Sequence, residues 1–434
     1  MTNNIKFNVQ PGGKLTGIIR VPGDKSISHR SIMLGSLAEG ITEVEGFLEG
    51  DDSLATLRAF RDMGVEIEGP DQGRVRIHGV GMSGLKQPSA PLDLGNSGTS
   101  MRLLSGLLAG QELDLTLTGD ESLSSRPMRR VTDPLAMMGA SIESDENGTA
   151  PLHIKPVKQL KAIDYTLPMA SAQVKSSILL AGLYADGETH VTEPAPTRDH
   201  TERMLNGFGY PVETHGNRIS LKGGGKLKAC TLDVPADISS SAFFLVGATI
   251  SPDSDLTLNH VGMNPTRIGV INILRDMGAN IEVLNQRTVG GEPVADLRVR
   301  YSPLKGIQIP EDQVPLAIDE FPAIFIAAAC AEGETTLTGA EELRVKESDR
   351  IQVMVDGLKI VGIDIEGTPD GAIIKGGQIG GGTVDSHGDH RIAMSFAMAS
   401  LRASSPIIIN DCANVDTSFP GFVELATKAG LSIT

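Results

Sequence analysis

Lys25, Arg30, Arg102, Lys175 and Arg391 occupy matching places in the chain: each sits in a short polar opening that leads into an apolar, helix-like stretch. The openings read GDKSISHR (23–30), GNSGTSMR (95–102), MASAQVKS (169–176) and GDHR (388–391). A helix N-terminus offers unpaired backbone N–H groups and a partial positive charge, which suits a phosphate or carboxylate. Ser, Thr, Asn and Asp favour such positions for capping alone, so one opening by itself says little. Their recurrence beside a cation points to an anion site. RVKESDR (344–350) adds Arg344, Lys346, Glu347, Asp349 and Arg350, and a helix there would put Lys346 and Arg350 on one face. SSRPMRR (124–130) and TRDHTER (197–203) each place an Arg in an expected loop. The planar guanidinium suits bidentate binding of phosphate or carboxylate.

Other chemistries are poorly served. His387, His390, Asp385 and Asp389 lie close together, but their spacing matches neither HExxH nor a Cys/His zinc pattern, so no metal is expected. Walker A and GxSxG patterns are absent, which disfavours a nucleotide P-loop and a nucleophile elbow. Cys230, Cys330 and Cys412 are odd in number and widely spaced, and read as reduced thiols of a cytoplasmic protein.

The elements that must position these residues recur six times. The copies begin near Asp24, Asn96, Ser171, Asp237, Asp319 and Asp389, and close on Gly64, Gly139, Gly209, Gly278, Gly362 and Gly430. In the first, Ile27, Met33, Leu34 and Leu37 recur at near-helical spacing, and Gly40 is expected to stop that helix. Thr42 and Val44 suggest a strand, and Leu54, Leu57, Phe60 and Met63 form one face of a second helix ahead of Gly64. A period of about 70 residues is too long for common solenoids and suits a repeated α+β subunit.

At 434 residues the chain exceeds what one core supports, so six copies divide naturally into three and three. Crossings are expected around Ile19–Asp24 and Asp233–Ile238. Periodicity alone leaves open whether Ile5–Val9 pairs with the second half or the chain divides simply near residue 235. A net charge of −16, 3% aromatics and no Trp disfavour a nucleic-acid surface. The longest apolar run, Phe321–Ala331, is too short to span a bilayer, and the start of the chain has no apolar signal core. A monomer in the cytoplasm, binding neither nucleic acid nor membrane, is expected.

In family order, GDKSISHR, GNSGTSMR, SRPM, ASAQVKS, TRDHTE, AIDEFP, RVKESDR, GDHR and TSFP resemble the EPSP synthase family, the 3-phosphoshikimate 1-carboxyvinyltransferases. The likeness runs from near Gly12 to the C-terminus and is greatest to the group called class II. It implies an α+β fold of two similar domains, each of three βαβαββ repeats (an inside-out α/β barrel), with substrates between them. It favours residues 1–20 with 238–434 as one domain and 21–237 as the other, the N-terminal strand joining the second half. The implied reaction transfers the enolpyruvyl group of phosphoenolpyruvate to the 5-hydroxyl of shikimate 3-phosphate, releasing phosphate, in the chorismate route to aromatic amino acids. It implies no metal or organic cofactor.

The resemblance also implies roles. Lys25, Ser26 and Arg30 would contact substrates, with Lys25 between the two. Ser171, Ala172, Gln173, Arg198 and Lys346 would hold shikimate 3-phosphate; Asn96, Gly98, Arg126, Arg350 and Arg391 would surround phosphoenolpyruvate. Asp319 is expected to deprotonate the hydroxyl, with Glu347 and Lys25 moving protons at the pyruvyl methyl. Two departures stand out. Asp416, Thr417, Ser418 and Phe419 lack the Lys that many relatives carry just before this motif, and Leu103 stands where others have Pro. The related UDP-N-acetylglucosamine enolpyruvyl transferases carry a Cys ahead of an Arg-Pro, whereas Gly119–Pro127 reads GDESLSSRP. A non-catalytic binder on the same scaffold would have no need of Asp319, Glu347 and Lys346 together.

Overall fold

The structure, a computed structural model, describes residues 5–434. It falls into two compact units: one of Gly23–Val234 with Val289–Gly291, the other of the stretch up to Pro22, Pro235–Thr288 and Glu292–Thr434. The buried apolar side chains form two clusters, one from each unit.

Every repeat contributes a core helix. In the first unit these are Lys25–Leu37, Gly98–Ala109 and Ala172–Gly182; in the second, Ile238–Ile250, Phe321–Ala329 and His390–Ala399. Most of their residues are buried, and every residue of the two most apolar, Ile238–Ile250 and Phe321–Ala329, is. A helix apolar all round belongs in a core. The second helices are amphipathic: Asp51–Asp62, Arg129–Met137, His200–Gly207, Gly269–Asp276, Arg350–Ile360 and Phe422–Ala429. After each comes one of the six closing glycines, with φ between 78° and 121°. That left-handed turn is strained for a side chain with Cβ and ends the helix.

The remaining segments form antiparallel sheets with a parallel strand added. Ala38–Glu45 pairs antiparallel with Arg74–Val80 and parallel with Thr231–Asp233. Glu334–Leu337 pairs with Gly371–Lys375, which pairs with Asp364–Thr368. The last repeat is completed from the other end of the chain: Phe7–Val9 runs antiparallel to Ile407–Ile409. Thr16–Ile19 likewise pairs in parallel with Asp255–Leu258.

One local expectation fails. The first helix ends at Leu37, and Gly40 lies within the Ala38–Glu45 strand with φ 110°. Strands on both sides of residues 38–45 satisfy their backbone groups, so the chain extends as soon as those partners are in reach. No helix is long and apolar enough to cross a membrane among the described residues.

Candidate functional site

In the unit of residues 23–234, the starts of the three core helices meet. The Asp24 side chain accepts from the Ile27 N–H at 2.9 Å and caps the first helix, which sets Lys25 and Ser26 in its opening turn. Lys25 Nζ lies 2.5 Å from Asp52 Oδ2, in the first turn of Asp51–Asp62. Arg30 is buried, and its guanidinium donates to Thr201 Oγ1 at 2.8 Å, Ser176 Oγ at 2.9 Å and the Ser26 carbonyl at 2.9 Å. It therefore ties the first core helix to the third and holds Ser26 in place.

Ser97 caps the second core helix and Gly98 begins it. A Cβ on Gly98 would lie 3.2 Å from both Arg102 Nη1 and Arg126 Nη1, so the bare backbone sits between two guanidinium groups. Arg126 donates to Asn96 Oδ1 at 2.6 Å and to the Asn96 carbonyl at 3.2 Å, while Asn96 Nδ2 donates to Asp120 Oδ2 at 2.8 Å. Arg102 donates to Gln173 Oε1 at 2.5 Å, and Gln173 Nε2 donates to Thr99 Oγ1 at 3.1 Å. Ser171 caps the third core helix and Ala172 starts it. Arg198 lies in the loop just ahead of His200–Gly207. Lys25, Asn96, Gly98, Arg126 and Gln173 are thus gathered at one end of this unit's core.

Two buried groups behind these openings bear on the chemistry. His29 is fully buried, with Nδ1 2.8 Å from Thr56 Oγ1, and burial drives its pKa down to about 3. It is a neutral imidazole joining the first core helix to the second helix of the repeat. Lys175, by contrast, corrects a sequence expectation. It is 0% exposed and lies 2.8 Å from Glu193 Oε1 and 2.7 Å from Glu202 Oε1, so its charge is spent inside the unit. Burial pushes its pKa down, and the two carboxylates more than reverse that. Burial also raises the pKa of Glu202, with Lys175 offsetting only part of it.

The second unit builds a denser charged cluster around Arg350. Arg350 Nε donates to Asp389 Oδ2 at 2.8 Å, Nη2 to Glu347 Oε2 at 2.5 Å and Nη1 to Asp319 Oδ1 at 3.3 Å. Burial acts to lower its pKa, but Asp389, Glu347 and Asp319 together raise it well above the usual guanidinium range. Lys346 Nζ lies 3.5 Å from the same Asp319 oxygen and 2.8 Å from Glu342 Oε1. The expected helical pairing of Lys346 with Arg350 does not form. Glu341–Val345 is a short 3₁₀ turn, the α-helix starts only at Arg350, and Asp349 caps it. Asp319 brings the two cations together instead.

Arg391 Nη1 donates to the Asp319 carbonyl at 3.1 Å and lies 3.9 Å from Glu320 Oε1. Glu320 accepts in turn from the Ser239 hydroxyl, which also accepts from Arg267 at 2.7 Å. Asp319 is therefore fixed by its own backbone and by two cations. A carboxylate so placed can take a proton from a hydroxyl while the cations hold the charge of a phosphate or carboxylate. Asp416–Phe419, where a cation was absent from the sequence, lies in the short Val415–Ser418 helix and the residue after it.

Sequence reasoning overlooked the carboxylates that set these cations: Asp52, Asp120, Glu193 and Glu202. Asp52 and Glu202 had a signal, each standing in the first turn of an amphipathic helix. Glu193 had none, because its partner Lys175 belongs to another element.

The EPSP synthase family (3-phosphoshikimate 1-carboxyvinyltransferase) matches residues 9–425. A 3-phosphoshikimate 1-carboxyvinyltransferase of Methylococcus capsulatus is 71% identical over 430 residues, covering 99% of this chain and 98% of that protein. One of Alkalilimnicola ehrlichii is 69% identical over 431 residues, covering 99% and 97%. A solved EPSP synthase from Acinetobacter baumannii superimposes with a TM-score of 0.91 at 63% identity, covering 99% of both chains.

Proposed function

Because this chain belongs to the EPSP synthase family, we propose that it transfers the enolpyruvyl group of phosphoenolpyruvate to the 5-hydroxyl of shikimate 3-phosphate. Asp319 takes the hydroxyl proton as the oxygen attacks C2 of phosphoenolpyruvate. A proton is added to C3 from Glu347 or Lys25, giving a tetrahedral intermediate with a methyl group. Loss of a methyl proton and of inorganic phosphate then restores the double bond. Both carboxyl groups lie beside cations that can offset developing charge.

The binding roles are proposed unit by unit. In the unit of residues 23–234, Lys25, Ser26 and Arg30 contact substrates, with Lys25 between the two; Ser171, Ala172, Gln173 and Arg198 serve shikimate 3-phosphate; Asn96, Gly98 and Arg126 serve phosphoenolpyruvate. In the other unit, Lys346 serves shikimate 3-phosphate, and Arg350 and Arg391 serve phosphoenolpyruvate. We read the two units as the family's two three-repeat domains.

One observation carries the reading: Asp319 holds one oxygen 3.3 Å from Arg350 and 3.5 Å from Lys346, a carboxylate set among anion-binding groups. Phosphate release from phosphoenolpyruvate is the test, with shikimate 3-phosphate and UDP-N-acetylglucosamine as parallel acceptors. Release that depends on shikimate 3-phosphate is expected. Release with the nucleotide sugar alone, or with neither, overturns the assignment.

A further inference from the structure

The buried trio of Lys175, Glu193 and Glu202 has no place in the proton transfers above, yet it closes on a segment that matters. Lys175 sits one turn into the third core helix, its N–H bonded to the Ser171 carbonyl at 3.1 Å. Glu193 directly follows the Glu188–Thr192 strand, ahead of the Arg198 loop, and Glu202 lies just beyond that loop in His200–Gly207. Both carboxylates meet the one ammonium, at 2.8 Å and 2.7 Å.

The loop between them has few backbone donors at its start. Pro194 and Pro196 have no N–H to donate. Side chains help to anchor it: the Thr197 hydroxyl donates to the second oxygen of Glu193, and Thr201 Oγ1 donates to Ser176 Oγ at 2.7 Å, one residue from Lys175. Glu193 is itself set by Asn217, through a 2.9 Å bond from Asn217 Nδ2 to its carbonyl. Burying one ammonium with two carboxylates is costly, and apolar residues of equal volume would stabilise the core as well or better. The trio makes physical sense as a geometric device.

We propose that Lys175 is a positioning residue for acceptor binding: it clamps both ends of the 194–199 loop to the helix whose start carries Ser171, Ala172 and Gln173, and so fixes Arg198 relative to them. This rests on the assignment of those four residues to shikimate 3-phosphate. Lys175 itself touches no substrate. Its loss removes the one group bound to both Glu193 and Glu202 and loosens the loop, so the phosphorylated acceptor is bound less well while the phosphoenolpyruvate groups and the proton-transfer residues are left in place.

Three readouts test this on the full chain. Lys175→Met is expected to raise the KM for shikimate 3-phosphate at least tenfold, with kcat and the KM for phosphoenolpyruvate changed less than threefold. Amide hydrogen exchange across residues 194–199 should quicken in the same variant. Lys175→Met with Glu202→Gln removes one positive and one negative charge together. It should recover melting temperature relative to Lys175→Met and keep the raised KM and the fast exchange. If Lys175→Met does not fold, Glu193→Gln is expected to show the same selective effects at smaller size.

An unchanged KM for shikimate 3-phosphate with unchanged exchange overturns the clamp. So does a return of both to wild-type values in the double variant, which would make the trio a charge balance only. Wild-type protein that releases no phosphate with shikimate 3-phosphate refutes the acceptor assignment and the binding role with it. Hydrogen exchange then still decides whether Lys175 holds the loop.

Discussion

Arg350 Nε lies 2.8 Å from Asp389 Oδ2, and neither side chain is more than 1% exposed. The pair links the start of Arg350–Ile360 to the cap of the core helix His390–Ala399. Removing one member of a buried pair strands the other charge, at a cost of about 3–5 kcal/mol. Arg350→Met leaves Asp319, Glu347 and Asp389 facing one another. It should lower unfolding stability by about that amount and cut kcat/KM for phosphoenolpyruvate by at least a hundredfold. Denaturant melts and initial rates check this, and a stability change below about 1 kcal/mol would contradict the buried-pair account.

Asp319→Ala tests the base. A general base contributes roughly 10²–10⁴-fold to the rate, so kcat should fall within that range while calorimetry shows shikimate 3-phosphate still bound. Turnover near the wild-type value would remove Asp319 from that role.

Gly98→Ala places a methyl 3.2 Å from the Nη1 atoms of Arg102 and Arg126. At that distance the guanidinium tips must give by a few tenths of an ångström, which alters the spacing of the two cations around the site. Glyphosate inhibits enzymes of this family, and its inhibition constant should rise at least tenfold in the variant, with a smaller rise in the KM for phosphoenolpyruvate. An unchanged inhibition constant would show that the ligand does not approach Gly98.

His29 makes a pH prediction with a definite sign. Its pKa is about 3 in the folded chain against 6.5 for a solvated imidazole, because burial favours the neutral ring. The unfolded chain therefore binds the proton first. The stability linked to this group is fully present above pH 6.5 and is lost as pH falls from there toward 3. One unit below 6.5, at about pH 5.5, the loss is about 1.4 kcal/mol. His29→Gln should lose less stability than wild type between pH 7.5 and about 5.5, by about that difference. Equal losses in the two proteins would mean that His29 is not the titrating group.

The repeat and its helix stops were legible because they rest on local chemistry. A Gly after each amphipathic helix and an Asp or Ser before a core helix act within a few residues of themselves, and Asp24, Ser171, Asp237 and Asp389 all cap as their residue types suggest. Gly40 misled because its strand is held by Thr231–Asp233 and Arg74–Val80, remote in the chain. The candidate cations were legible by type, but which of them faces outward was not. Lys175 and Lys25 look alike in sequence, and only the folded chain shows Lys175 enclosed by Glu193 and Glu202 while Lys25 keeps part of its surface beside Asp52.

Thr16–Ile19 finds its partner in Asp255–Leu258, and the Leu15 N–H bonds to Ser254 Oγ across 239 positions of chain. On the ribosome those two stretches are made far apart in time, with the whole of Gly23–Val234 emerging between them. That inserted unit has its core residues in hand before the other can begin to close. On either side of it the Asp237 N–H bonds to the Pro22 carbonyl at 2.9 Å, so once that unit is folded the effective loop that the N-terminal strand must bridge is short. The order of synthesis thereby lowers the entropic barrier to joining the two ends of the chain.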